Sequence, residues 1–243
     1  MEHSDNILEQ LEQYLQFMKA SGVQYLPLAE AGPPHGSPVY DEENRQSTAE
    51  SEALSTSAYG HALDAMRREF EDCTRCGLSS FRNNVVFGSG DPNADLLFIG
   101  IAPGREEDMK GEPFSGAAGD LLTKIIEAIK LRREDVYLSN LIKCCPPDGR
   151  DPAKEEIMAC RHIFDRQIMA IKPLVICSLG DIAAQSLLYT DESLSSLRGR
   201  FHEYNGLPLM PTYHPSYILK NPDIKREVWE DMKQIKKMLH KKS

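Results

Sequence analysis

Four short apolar runs separated by segments of helical period constrain this chain more than any other feature. Asp95 to Gly100, Val136 to Ile142, Leu174 to Ser178 and Leu207 to Thr212 are too short and too evenly apolar for surface helices, and they read as buried strands. Between them, Ala117 to Lys130 sets Leu121, Leu122, Ile125, Ile126 and Ile129 on one helical face. Lys154 to Ile171 continues as a helix until Lys172-Pro173 stops it, and Asp181 to Leu188 forms another. A helix also starts near Ala58 and runs through Met66 and Phe70. This alternation predicts a three-layer α/β/α domain with a central, mostly parallel four-stranded sheet. Ligands on such sheets bind beyond the carboxyl ends of the strands, which selects the loops after Gly100, Asn140, Leu179 and Thr212.

The first part of the chain reads differently. Residues 1–28 form an amphipathic helical segment carried by Ile7, Leu8, Leu11, Leu15 and Met18, and its apolar face calls for a protein partner. Residues 29–57 are rich in Gly, Pro, Ser and Glu, as a flexible linker would be, and the domain proper is expected over 58–243. The formal charge of −9 is concentrated at the front: residues 1–72 hold 14 acids against 4 bases, whereas Leu197 to Ser243 hold 10 bases against 5 acids. That basic end can meet phosphates or form a solvated tail, Lys236-Lys237 and Lys241-Lys242 being typical of the latter. The apolar runs are far below the ~20 residues of a membrane span, and Met1-Glu2-His3-Ser4-Asp5 is unlike a secretory signal. A cytoplasmic, monomeric protein without a membrane association is expected.

Six cysteines in such a chain are better read as ligands than as disulfides. Cys73 and Cys76 have the C-x2-C spacing, and Cys144 and Cys160 are joined by a loop containing Pro146-Pro147-Asp148-Gly149-Arg150. Four thiolates from two distant segments can close around a 4Fe-4S cluster, although four sulfurs also suit zinc. Cys145 is left over, and Cys177 lies in an apolar strand as a core residue.

The run Val86-Phe87-Gly88, then Asp95 to Gly100, Ile101-Ala102-Pro103-Gly104, Glu107-Asp108 and Gly111-Glu112-Pro113-Phe114 resembles the first motif of the family-4 uracil-DNA glycosylases. Lys143-Cys144-Cys145-Pro146-Pro147 with Cys160 resembles that family's cluster loop, and Tyr213-His214-Pro215-Ser216-Tyr217 its second motif. The resemblance covers roughly Ala58 to Leu239 and implies excision of uracil from DNA. It also implies a structural 4Fe-4S cluster on Cys73, Cys76, Cys144 and Cys160.

An enzyme that removes a base must flip it into a pocket that reads its edge and its face. Phe114 can supply the flat surface, and Asn140, whose amide both donates and accepts, can pair with the uracil edge; Ile101 and Ala102 are expected beside them. In the resembling family the counterpart of His214 stabilises the charge on the departing uracil. Ser216, Tyr217 and Ile218 are expected to enter the DNA groove, and Arg198, Arg200 and Lys220 to contact phosphates.

Ile101 departs from the family, which usually has Glu there in G-E-A-P-G. Glu107 is the nearest substitute as a catalytic carboxylate, with Asp108 beside it. The departure keeps two other readings open: a catalytically weak or inactive DNA-binding module of the same fold, and an iron–sulfur electron-transfer protein.

Overall fold

The computed structural model describes residues 60–241. The amphipathic segment at 1–28 and the linker at 29–57 lie outside the described residues. Among the described residues no helix is long and apolar enough to cross a membrane.

The sheet contains β1 (Ser89–Gly90), β2 (Leu96–Gly100), β3 (Tyr137–Asn140), β4 (Val175–Leu179), β5 (His202–Tyr204) and β6 (Leu207–Thr212), in the spatial order β1-β3-β2-β4-β6-β5. The four strands expected from the apolar runs are its parallel centre. Two edge strands enlarge it: β1 pairs antiparallel with β3, and β5 antiparallel with β6. They span two and three residues, too short for any periodic signature.

Helices cover both faces. Their ranges are α1 (60–70), α2 (Arg105–Lys110), α3 (Gly116–Ala128), α4 (Lys154–Ile171), α5 (Asp181–Leu188), α6 (Leu194–Leu197), α7 (Pro215–Lys220) and α8 (Lys225–His240). The strand period of two sends Leu97, Ile99, Ile176 and Leu209 into one core with Phe70, Phe164 and Ile168. Leu96, Phe98, Val175, Cys177 and Met210 enter the other, with Leu122, Ile126, Met232 and Ile235. The central strands are buried on both faces, which explains their evenly apolar sequences.

Part of the basic end of the chain is built into the fold. α8 docks through Val228, Met232 and Ile235, and it carries Asp231 into the interior at 0% exposure. Arg198, expected to contact phosphate, is instead committed to this helix. Its guanidinium donates to Asp231 at 2.8 and 3.1 Å and to the Glu227 carbonyl at 2.6 Å, and it lies over the Tyr213 ring. Thr212 Oγ1 donates to the same carboxylate at 2.6 Å, so the network fixes the end of β6 just before His214. Truncating one member of a buried pair leaves the other charge without compensation. Arg198→Ala is therefore expected to cost about 3–5 kcal/mol and to lower the Tm by on the order of 10 °C. A thermal melt indistinguishable from the wild type would contradict this.

Candidate active site

The parallel register does the first work of building the site. Gly100 is directly opposite Asn140, and pairing continues past the strands, with Leu141 N–H donating to the Gly100 carbonyl and Ile142 N–H to that of Ile101. At this end of the sheet opens a cleft of about 1040 Å³, lined among others by Ile101, Ala102, Glu107, Ser115, His214 and Ser216. Asn140 is 1% exposed, and its Nδ2 makes no hydrogen bond of regular geometry, although the amide is near enough to Glu107 to lower that carboxyl's pKa. Buried amide donors are nearly always paired, so an unpaired one beside a cleft points to a ligand. A Cβ on Gly100 would come within 2.3 Å of Asn140 Oδ1 and 3.1 Å of the Phe114 ring. The glycine thus lets the amide and the aromatic ring pack close over the end of β2.

Phe114 is held in an unusual conformation. Its φ is 53°, in the left-handed region that a bulky side chain rarely adopts, and its surroundings impose it. Its N–H donates to Glu107 Oε1, and its carbonyl accepts from Arg133 Nη2 at 3.1 Å. The first turn of α3 comes so near that a Cβ on Gly119 would be 1.6 Å from that carbonyl oxygen. The other oxygen of Glu107 accepts from the Gly104 N–H at the start of α2. Burial raises the Glu107 pKa, while the two N–H bonds, Arg133 and the nearby Asn140 amide pull it down. Both carboxylate oxygens are therefore engaged in holding the loop around Phe114. Asp108 is also structural: it is 3% exposed and accepts from the Asn83 and Asn84 N–H groups at 3.0 and 3.2 Å.

His214 caps α7. The Ser216 N–H, which can only donate, points at Nδ1 from 3.2 Å, and Ser216 Oγ is 2.7 Å from the same nitrogen. Nδ1 is accordingly the acceptor, and the ring proton belongs on Nε2. Desolvation pushes the pKa down to about 4, so the ring is neutral near pH 7. Its plane is tilted 32° to that of Phe114, with the centroids 6.0 Å apart. The helix begun by this cap turns Ile218 inward to 1% exposure, correcting the expectation that it enters the DNA groove. The outward side chains are Tyr217, 49% exposed and stacked on Tyr213, and Leu219, 48% exposed, which the sequence reading missed. Ser216, Lys220 and Arg200 are also exposed.

The four cysteines meet behind the sheet end. Cys73, Cys76, Cys144 and Cys160 line one small cavity together with Arg82 and Lys143. Arg82 Nη1 donates to the Cys73 carbonyl at 2.6 Å and approaches Cys144 Sγ at 3.5 Å. Burial pushes the Cys160 thiol up to about 11, opposed by the charge and backbone N–H of Lys143. Among the described residues no three His, Cys, Asp or Glu side chains form a site for a single metal ion. Cys145 lines the cleft and not this cavity. Lys143 was not anticipated as part of the site; a lysine between Ile142 and Cys144 in an apolar stretch is the signal that could have revealed it.

Residues 87–233 match the uracil DNA glycosylase superfamily. A type-4 uracil-DNA glycosylase of Saccharolobus solfataricus is 42% identical over 189 residues, covering 74% of this chain and 88% of the relative. One from Archaeoglobus fulgidus is also 42% identical over 189 residues, covering 74% and 95%. One from Thermotoga maritima is 39% identical over 183 residues, with the same coverage of 74% and 95%. With relatives of this identity covered over most of their length, this chain belongs to the type-4 uracil-DNA glycosylases.

Proposed function

We propose that this chain excises uracil from DNA by hydrolysing the N-glycosidic bond, leaving an abasic site. The observation that carries the reading is the buried Asn140 amide, whose Nδ2 lacks a regular hydrogen bond, brought close to the Phe114 ring over Gly100. A flipped uracil slides its flat face along Phe114, while Asn140 Nδ2 donates to O4 and Oδ1 accepts from N3–H. Cytosine offers a donor and an acceptor in the opposite places, leaving the buried amide unpaired at a cost of about 1–3 kcal/mol.

The chemistry is assigned to the leaving group. Negative charge grows on uracil as the bond to C1′ breaks, and the Nε2–H of His214 donates to O2 more strongly as it does so. A neutral imidazole suffices, because the donor is already oriented through Nδ1. Ile101 cannot activate water or balance charge at the sugar. Glu107, bound to two backbone N–H groups, contributes by positioning Phe114 and by its negative charge, and water is free to enter from the cleft. Ser216, Tyr217, Leu219, Arg200 and Lys220 form the proposed DNA-facing surface. A binding module without chemistry would need no preformed pocket of this kind.

The cofactor assigned to Cys73, Cys76, Cys144 and Cys160 is a 4Fe-4S cluster. The donor set fits: four cysteine sulfurs, the ligand set of a 4Fe-4S cluster, line one cavity. When bound, such a group crosslinks the 73–76 loop to α4 and the segment after β3, a structural contribution distinct from the excision step.

Three outcomes are expected. In single-turnover assays on uracil-containing single-stranded DNA, with abasic sites revealed by alkali, the wild type cleaves and His214→Ala loses roughly 10²- to 10³-fold in rate with little change in DNA affinity. Because the lowered pKa keeps His214 neutral, the wild-type rate stays flat between about pH 5 and pH 8 and drops only as pH falls toward the value near 4, where a proton on Nδ1 displaces the Ser216 N–H. No cleavage at all, or a transition near the ordinary histidine value, would contradict the reading. Cys144→Ala should lose iron and fold poorly after anaerobic purification, since its partners come from distant segments; equal iron in variant and wild type would refute the ligand set.

A further inference from the structure

The last helix sorts its charges by face. At about 100° per residue, Lys225, Arg226, Trp229, Lys233, Lys236 and Lys237 fall within roughly 120° of the circumference of α8. That side is turned away from Val228, Met232 and Ile235, which enter the core. The acids are drawn off it, Glu227 lying 2.9 Å and Asp231 2.8 Å from the Arg198 guanidinium. Glu230 is the carboxylate left outside, and it is bonded to Lys233 at 2.7 Å. Lys225, Arg226, Lys236 and Lys237 form no ion pair among the described residues. A helix face that is merely solvated mixes both signs, with pairs between successive turns. Here unpaired cations surround Trp229, the only tryptophan of the chain, whose large apolar ring is 42% exposed.

A partner for this face must carry regularly spaced negative charge with less polar surface between the charges. The phosphates of a nucleic acid, with sugars and bases between them, meet both conditions. The face also continues the surface proposed to meet DNA. Lys220 ends α7, and the turn Pro222–Ile224 leads directly to Lys225. Asn221 N–H donates to the Tyr217 carbonyl at 2.9 Å and Ile224 N–H to the Asn221 carbonyl at 3.3 Å, which fixes the junction. From there α8 runs for 16 residues, about 24 Å, the length of roughly seven base pairs. An anionic membrane fits less well, because an interfacial helix needs a free apolar side and α8 has given its own to the core. We propose that the outer face of α8 is a second DNA contact, in which its cations follow phosphates flanking the lesion and Trp229 packs against the sugars and bases between them. The inference rests on DNA being the substrate, and it extends the footprint from the flipped base to the neighbouring backbone.

The test uses the full chain and DNA that contains no uracil, so that it does not depend on the base pocket. Failure of the wild type to excise uracil refutes the proposed function, whereas the measurements that follow address α8 alone. Because the chain has one tryptophan, its emission reports this face. Saturation with uracil-free DNA should change that emission and shield it from quenching by iodide. Emission and quenching that stay the same while DNA is bound overturn the proposal. Lys225→Gln, Arg226→Gln, Lys236→Gln and Lys237→Gln combined should weaken binding to the same DNA by roughly tenfold or more at low salt and reduce the slope of log K against log salt by about three to four. An unchanged slope overturns the proposal, since a solvated face would leave it alone. Should the combined variant fail to fold, the tryptophan measurement on the wild type decides. Trp229 emission that responds to phosphatidylserine vesicles but not to DNA assigns the face to a membrane and likewise overturns the proposal.

Discussion

The close parallel pairing of β2 with β3 sets Gly100 opposite Asn140, and the rest of the site is arranged around that juxtaposition. A side chain at position 100 would collide with the amide on one side and the Phe114 ring on the other. The ring keeps its place because Phe114 is clamped in a left-handed conformation by Glu107 on its N–H, Arg133 on its carbonyl and α3 packed hard against it. Strain of this kind persists only where its surroundings over-determine it. The result is a fixed aromatic ring, which the proposed mechanism uses as a wall for the flipped base.

Electrostatics follow the same plan of orienting groups in advance. His214 is fixed as a neutral donor by the Ser216 N–H, and burial keeps it so. The loop that carries it is held by Thr212, Asp231 and Arg198, a network whose members come from β6, α8 and the segment after α6. A donor aimed before the reaction needs no reorganisation while charge develops, which is where such groups contribute most. Ile101 offers no carboxylate on the sugar side, so the proposed mechanism places its weight on the departing base.

Much of this was legible in the chain itself. The central strands followed from their apolar runs, and α4 and α5 from helical period with clear stops, because burial on both faces leaves a strong local signature. The cysteine spacing and the order of the two motifs indicated which loops would converge. The misreadings share one cause: the deciding partner is far away in sequence. Arg198 looked like a free surface cation because Asp231, 33 residues on, gives no local sign of being buried. Ile218 looked like a groove residue until the cap made by His214 set the phase of α7 and turned it inward. Glu107 reads from sequence as a spare carboxylate, and only the folded loop reveals that both its oxygens are engaged.

The most direct test of the central claim is a single methyl group. Gly100→Ala adds a Cβ that presses on both the Asn140 amide and the Phe114 ring, at a strand position whose backbone tolerates alanine. In single-turnover assays on uracil-containing DNA, the account predicts a loss of roughly a hundredfold or more in excision rate, with iron content and DNA affinity close to wild type. Excision by Gly100→Ala at the wild-type rate would contradict it, because the base would then be read somewhere other than at Asn140 and Phe114.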